Sequence, residues 1–393
     1  MIDPESIVKK FVPLIRNWKS RKDFFELQYK LIDSLSEVER ALSQAKDRPH
    51  TLKINPDLVI EKAELSKELL LLFGDTLAWD LLNREIIRGS SINKKGGYIT
   101  FRQGFEPEVL TLKEFEKKKG TFAILNDLTH CLGIGDVYAL NSKGLTIVEV
   151  KSTSSDLPDS YDPNTDERLI KQIKRMEWLE SYSSVKEGEI SAGFHPDWEK
   201  IKEGYKPKSV HALRTASNSV DEYYHKELDK VIKKAKKNKT GFAYKTLEGI
   251  GTLHAQLSTT QAKPTTKMMD AAGIKKVDMI ILGCLNRHIW EFHDFKPIPS
   301  FDISEESLID ILLQKINVCV VYPTRNIISA LLKEGITANW EENGLSAYRS
   351  KHGHIVSVAP YQINRLLYEF LKPTSFAKII VSGIDGIDSS PNH

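Results

Sequence analysis

Apolar positions repeat at intervals of three and four through the first part of the chain. Within "FFELQYKLIDSLSEVERALSQA" they fall on one helical face, which predicts that residues 1 to about 48 are helical. A second helix is predicted over roughly 56–88, because Asn55 is a good N-cap and Pro56 suits the first helical position. The sequence therefore begins as an all-helical segment.

Short apolar runs with strand character follow these helices. The predicted strands cover 98–102, 120–125, 135–140 and 145–152. A polar loop and a helix predicted over roughly 165–182 come next, and the pattern then changes to a mixture of basic helix, apolar strands and further helices. We interpret 1–50 as an N-terminal helical segment, 51–205 as a core domain and 206–393 as a C-terminal mixed α/β domain.

Composition adds only weak constraints. The net charge of the 393 residues is +3, so the overall charge does not indicate nucleic acid, although a local basic patch remains compatible with it. No apolar run reaches the roughly 18 residues of a membrane helix. Cys131, Cys284 and Cys319 are odd in number and widely spaced, which predicts three buried thiols and a reducing, cytoplasmic compartment.

Two carboxylates and an ammonium interrupt the apolar strands between 133 and 153. Glu149 and Lys151 share one face of their predicted strand, because side chains alternate along a strand. A symmetric turn at "NSKG" (141–144) makes paired residue numbers sum to 285 and sets Asp136 opposite Glu149. Two carboxylates opposed across a hairpin repel unless a cation lies between them, and Mg²⁺ or Mn²⁺ suits such oxygens. With an ammonium beside it, such a metal site predicts phosphodiester hydrolysis.

These residues, in "GIGD…IVEVKS", resemble the signature of the PD-(D/E)XK nuclease superfamily. The resemblance implies a restriction-endonuclease-like αβββαβ core within an α/β protein. It implies that Asp136, Glu149 and the Val150 carbonyl bind the metal and that Lys151 orients or activates the attacking water. Gln172, early in the next predicted helix, matches a glutamine that members often carry.

The sequence departs from this signature at one position and leaves another open. Gly135 stands where the proline that names the motif is expected. Some members carry an additional acid on the first core helix, which we expect within 56–88. Five acids compete for that role: Glu64, Glu68, Asp75, Asp80 and Glu85.

A lysine-rich helix is predicted over "HKELDKVIKKAKKNK" (225–239), with Lys226 beginning one basic face. Lys230, Lys233, Lys234 and Lys237 continue that face, and they are the candidates for neutralising nucleic-acid phosphates. The alternative interpretation is an ordinary solvated helix face.

Taken with the resemblance, these patterns predict a Mg²⁺- or Mn²⁺-dependent nuclease that hydrolyses phosphodiester bonds. DNA is favoured as substrate, endonuclease over exonuclease action, and restriction or antiviral defence as the setting. The C-terminal half is expected to select substrate, bind a partner protein or form a homo-oligomer. Two alternatives stay open: a non-catalytic nucleic-acid-binding protein on the same fold, and an interaction protein whose hairpin is ordinary surface.

Overall fold

The computed structural model describes most of the chain in two compact units. The described residues are 3–51, 54–90, 97–150, 174–177, 179–180, 191–193, 210–212, 222–247, 250–259, 280–285, 295–341, 344–348, 355–358 and 360–388. One unit is Met1–Val185 with Ala192–His211, and the other is Lys186–Ser191 with Ala212–His393. Helices and small antiparallel sheets make the protein mixed α/β, which agrees with the predicted class.

The first unit begins with four helices whose starts follow from local capping. They are α1 (Pro4–Asn17), α2 (Arg21–Asp47), α3 (Pro56–Leu81) and α4 (Arg84–Ser90). Ser20 and Asp23 form a capping box at the start of α2, and the Asn55 side chain accepts from the Asp57 N–H at the start of α3. The helical character predicted for this part of the chain is confirmed, but the single helix predicted over roughly 56–88 is divided into α3 and α4.

A fifth helix, α5 (Phe105–Lys117), was not anticipated from the sequence. The strand predicted over 98–102 is wrong, because these residues form turns that lead to Gly104 at φ +103°. Phe105, Glu108 and Leu112 form the buried face of α5. A glutamate at a buried position breaks the apolar repeat, so the helical period is hard to recognise.

A three-stranded antiparallel sheet follows α5. Its strands are β1 (Phe122–Leu125), β2 (Val137–Asn141) and β3 (Gly144–Val148), in the order β1-β2-β3. The strands predicted over 120–125 and 135–140 are confirmed. The strand predicted over 145–152 is shorter than expected, since β3 ends at Val148 and the next two residues continue without strand pairing.

Side chains from the helices complete this sheet. The Gln28 amide on α2 donates to the Ala123 carbonyl (2.9 Å) and accepts from the Leu125 N–H (3.1 Å), so it covers the outer side of β1. On the other side, Glu180 Oε1 accepts from the Ile147 N–H of β3 at 2.6 Å. Arg21 Nε donates to the Thr121 carbonyl (2.6 Å), which holds α2 to the connection between α5 and β1.

Two short strands, β4 (Ser191–Gly193) and β5 (Val210–Ala212), make a two-stranded sheet. The second unit then contains two sheets. The larger has four strands in the order β6-β7-β9-β8, and the smaller has three in the order β10-β11-β12. The elements are α6 (His225–Lys237), β6 (Phe242–Leu247), β7 (Gly251–Leu257), β8 (Ile280–Leu285), α7 (Glu305–Leu312), β9 (Ile316–Pro323), α8 (Thr324–Lys333), β10 (Thr337–Glu341), β11 (Gly344–Tyr348), β12 (Ile355–Val358), α9 (Pro360–Tyr368) and α10 (Pro373–Asp388).

Two of the three cysteines are paired in the larger sheet. Cys284 on β8 and Cys319 on β9 are register partners with Cα atoms 4.1 Å apart, and they form a disulfide. The prediction of three thiols is therefore wrong for this pair, because a separation of 35 residues gave no indication of the strand register. Cys131 is a buried thiol, as expected.

A buried histidine connects several elements of the second unit. His225 lies between the rings of Tyr223 and Phe301, with centroid distances of 4.9 Å and 4.5 Å. Its Nε2 lies 3.0 Å from the Glu369 carbonyl oxygen, and its Nδ1 accepts from the Asp302 N–H at 3.1 Å. Burial lowers the pKa of His225 to about 4, so the ring is neutral in the folded protein at neutral pH.

Across the described ranges, no helix combines the length and apolar character needed to cross a membrane.

Candidate active site

The hairpin of β2 and β3 sets the position of the first candidate carboxylate. Asn141 pairs with Gly144 and Val137 with Val148, so the predicted register, with residue numbers summing to 285, is confirmed. The Asp136 N–H donates to the Val148 carbonyl at 2.8 Å, so Val148 lies against both Val137 and Asp136 and the regular pairing ends at Val137. Direct opposition of Asp136 and Glu149 stays a prediction, but Asp136 lies beside the Val148–Val150 segment that contains Glu149.

Backbone groups on both sides hold Asp136. The Val150 N–H donates to Asp136 Oδ2 at 2.6 Å, and the Asp136 carbonyl accepts from the Asn126 N–H at 2.8 Å. Burial raises the pKa of Asp136 to about 6; the Val150 N–H opposes the rise and the charge of Glu149 adds to it. The two candidate carboxylates are therefore close enough to influence each other electrostatically.

The residue before Asp136 explains the departure from the superfamily signature. Gly135 has φ +67°, a left-handed conformation that proline, fixed near −65°, cannot adopt. A Cβ at this position would lie 2.5 Å from Ile147 Cγ2 and 3.2 Å from the Val148 carbonyl oxygen. Glycine is thus the residue that lets the chain approach β3 closely enough to set Asp136 in place.

Two further acids that the sequence analysis missed lie near Asp136. Glu108 is on the inner face of α5 with its side chain 4% exposed, and Asp127 is in the turn that follows β1. Burial raises the pKa of Glu108 to about 7, and the charge of Asp136 is the next largest contribution to that rise. In the sequence, Glu108 is distinguished only by its place on the buried face of a helix. That place can be recognised only once the bounds of α5 are known.

A single arginine joins these acids. Arg102 Nη2 contacts Glu108 Oε1 at 2.5 Å and Asp127 Oδ2 at 2.7 Å. Burial lowers the pKa of Arg102, but the Asp127 and Glu108 carboxylates outweigh that effect and raise it. Asp136 also acts electrostatically on this guanidinium, so Arg102 is a shared cation for several carboxylates.

Three of the acids expected on the first core helix have other partners. Asp75 is buried in α3 and accepts from the N–H groups of His130 (2.7 Å) and Cys131 (2.8 Å), which ties the segment after β1 to the helix. Glu64 binds Lys46 at 2.9 Å, and Asp80 accepts from the indole N–H of Trp18 at 3.2 Å. These contacts are structural, whereas Glu108 on α5 is an acid on which the charge of Asp136 acts directly.

Lys151 and Gln172 lie outside the described residues, and their predicted roles stay predictions. Part of the helix predicted over 165–182 is described, since 174–177 and 179–180 are helical. Leu179 is buried there, and Glu180 is the residue that contacts β3.

The candidate metal ligands fit a hard cation by their chemistry. Asp136, Glu149 and the Val150 carbonyl offer only oxygen atoms, which Mg²⁺ and Mn²⁺ prefer. No group of three or more His, Cys, Asp and Glu side chains in the described part of the chain is arranged to hold a metal ion. With Arg102 bound to Glu108 and Asp127, two of the nearby carboxylates face a guanidinium instead.

The predicted basic face of α6 is exposed. Its solvent-facing lysines are Lys226, Lys230, Lys233, Lys234 and Lys237. Lys233 pairs with Asp229 at 2.6 Å, so this candidate is partly neutralised. Within the described ranges, Lys230, Lys234 and Lys237 form no ion pair and remain the stronger candidates for phosphate contacts.

A scan against protein-family models, a search of curated proteins and a search of solved structures each found no match to this chain.

Proposed function

We propose that the protein is a metal-dependent nuclease whose active site is built around Asp136 and Glu149. The observation that supports the proposal is the contact of Asp136 with the end of β3: its N–H donates to the Val148 carbonyl and its carboxylate accepts from the Val150 N–H, which brings it next to Glu149. Like charges with partly buried side chains are costly unless a cation balances them, and active sites are where such arrangements concentrate. The resemblance to the PD-(D/E)XK signature gives the same assignment, with a restriction-endonuclease-like core.

The roles of the individual groups follow from their chemistry. Asp136 and Glu149, with the Val150 carbonyl, would hold Mg²⁺ or Mn²⁺; when bound, the ion polarises a phosphoryl group and acidifies a water molecule. The Val150 N–H fixes one oxygen of Asp136, which keeps this carboxylate oriented. Lys151 is assigned, from the resemblance, to orient or activate the attacking water, and Gln172 to assist within the site.

The basic face of α6 supports nucleic acid as the substrate. Among the described residues, Lys230, Lys234 and Lys237 form no ion pair and lie on the exposed face of α6, which suits contact with the phosphate backbone without reading sequence. DNA, endonuclease action and a role in restriction or antiviral defence rest on the resemblance. The second unit is proposed to select substrate, bind a partner protein or form a homo-oligomer.

The first test is cleavage of duplex, single-stranded and branched DNA and of RNA in Mg²⁺, Mn²⁺ or EDTA. We expect cutting that requires the metal and falls at least about 100-fold in Asp136→Asn and in Glu149→Gln, because each replacement removes a charged ligand and keeps the shape. Lys151→Ala is expected to cause a similar loss. Glu106→Gln is the matched control, since Glu106 is an exposed acid on α5 and should leave the rate unchanged.

The same experiment separates the proposal from its alternatives. Nucleic-acid binding without cleavage in any metal would favour the non-catalytic binder. Neither binding nor cleavage would favour an interaction protein. Cleavage that persists in both carboxylate variants would show that the active site lies elsewhere.

A second prediction concerns affinity for DNA. Replacing Lys230, Lys234 and Lys237 together by alanine is expected to weaken binding to a short duplex at all sequences. The slope of log affinity against log salt should fall by about 3, because each phosphate contact contributes about 0.9. Fluorescence anisotropy in Ca²⁺ at several salt concentrations measures both quantities.

The control for this experiment removes the same charge from another surface. Lys9, Lys22 and Lys117 are exposed lysines of the first unit, each with an acidic partner on its own helix. If their triple alanine variant reduces the salt slope as much as the α6 variant does, general charge explains the binding and the α6 face has no special role.

A further inference from the structure

Arg102 reaches from a surface loop into the candidate active site. The residue lies in the turns before α5, and its side chain is 38% exposed. Its Nη2 contacts both carboxylate oxygens of Glu108, each at 2.5 Å, and Asp127 Oδ2 at 2.7 Å. One guanidinium therefore forms ion pairs with two acids that lie near Asp136.

The Arg102 guanidinium lies in a region rich in carboxyl groups. Glu108, Asp127, Asp136 and Glu149 contribute four carboxyl groups, and Glu108 is nearly excluded from solvent. Arg102 forms ion pairs with two of them, Glu108 and Asp127. A divalent cation at Asp136 and Glu149 would be attracted by the same carboxylates and repelled by the guanidinium. The metal ion and Arg102 would therefore compete for the same negative charge.

The backbone hydrogen bonds of Arg102 itself are long, which leaves its side chain room to move. Its N–H donates to the Ile99 carbonyl at 3.4 Å, and its carbonyl accepts from the Phe105 N–H at 3.4 Å; both bonds are long. Gly104, two residues on, has a left-handed conformation, and the neighbouring Phe101 side chain is exposed. Rotation of Arg102 toward solvent thus leaves the buried faces of α5 and β1 intact.

We propose that Arg102 is an internal cation that competes with the catalytic metal. In the metal-free protein it neutralises the carboxylates and holds them together, and metal binding requires it to withdraw from Glu108 and Asp127. The inference rests on the proposed nuclease function and adds a restraint to it: at low metal concentration the arginine keeps the site closed. The position of Arg102 in a surface loop lets a bound nucleic acid draw the guanidinium away toward its phosphates.

The experiment is a calorimetric titration of the full chain with Mn²⁺ alone. Wild type is compared with Arg102→Ala and Arg102→Gln; the glutamine variant keeps a polar side chain in case the alanine variant does not fold. Arg16→Ala is the matched control, because Arg16 is an exposed arginine on α1 and its loss removes the same charge from another place. We expect both Arg102 variants to bind Mn²⁺ at least about tenfold more tightly than wild type, and Arg16→Ala to match wild type.

Three other outcomes of this titration would each contradict one part of the proposal. If wild type binds Mn²⁺ and the Arg102 variants bind it equally or more weakly, Arg102 is not a competitor and the metal site stands. If neither wild type nor any variant binds Mn²⁺, the metal site itself is absent, and the competition falls with the proposed function. If Arg16→Ala binds as tightly as the Arg102 variants, the gain reflects overall charge.

Discussion

Replacing Gly74 by alanine is expected to lower the free energy of unfolding of the first unit by about 3 kcal/mol or more. Gly74 lies in α3 against the turn that follows β1. A Cβ there would stand 1.6 Å from the Leu128 carbonyl oxygen and 2.7 Å from its carbonyl carbon. Because both neighbours are backbone atoms, no side-chain rotation relieves the overlap, and either the helix or the turn must move.

The effect is also expected to reach the candidate active site. The turn against Gly74 contains Asn126 and Asp127, and Asn126 donates through its N–H to the Asp136 carbonyl at 2.8 Å. Displacement of the turn would shift Asp127 and Asp136 together, so DNA cleavage should fall along with stability.

Urea-dependent pulse proteolysis, with α3 peptides quantified by mass spectrometry, measures the stability change within the intact chain. Gly97→Ala is the matched control, because a Cβ at Gly97 meets nothing within 4 Å. That variant should change stability by less than about 1 kcal/mol. Equal effects in the two variants would contradict the close approach of α3 to the turn.

Acidification is expected to destabilise the second unit by up to about 6 kcal/mol between pH 6.5 and pH 4. Two of its histidines are almost fully buried, His225 at 5% and His254 at 2% exposure. Burial lowers the pKa of each from 6.5 to about 4. His254 has Nε2 2.7 Å from Thr252 Oγ1, and its buried Nδ1 has no hydrogen-bond partner among the described residues, so these residues offer the second proton no acceptor.

The direction of the effect follows from which state binds protons. Below pH 6.5 the unfolded chain protonates both histidines while the folded protein keeps them neutral down to about pH 4. The stabilisation is therefore complete above pH 6.5 and is lost as the pH falls toward 4, with about 3 kcal/mol from each residue.

The same proteolysis measurement, read on α6 and β7 peptides at pH 8 and pH 4.5, tests this prediction. The His225→Gln/His254→Gln variant should lose much less stability between the two pH values than wild type does. Comparing each protein with itself at pH 8 removes the cost of the substitutions. An equal loss in both proteins would assign the acid sensitivity to other groups.

The parts of the site that depend on local sequence were predictable. The turn at 141–144 and the alternation in "GDVYAL" and "LTIVEVKS" set the β2–β3 register, and that register brings Asp136 toward Glu149. A hairpin joins residues that are close in sequence, so the turn alone fixes which residues oppose each other.

The parts that depend on distant contacts were not predictable. Glu108 occupies an inward position of a helix whose apolar repeat it interrupts, and Arg102 comes from a segment with the composition of a strand. The disulfide of Cys284 and Cys319 likewise requires the pairing of β8 with β9, which no local turn specifies. In each case the decisive neighbour belongs to another element.

The Gln28 amide has a consequence for self-association. An end strand normally offers unpaired N–H and C=O groups that can template the addition of a strand from another molecule. On β1, the Ala123 carbonyl and the Leu125 N–H are already satisfied by this side chain, which α2 carries across the strand. A second copy of the chain could extend the sheet at β1 only by expelling α2, so a homo-oligomer, if one forms, must assemble through a different surface.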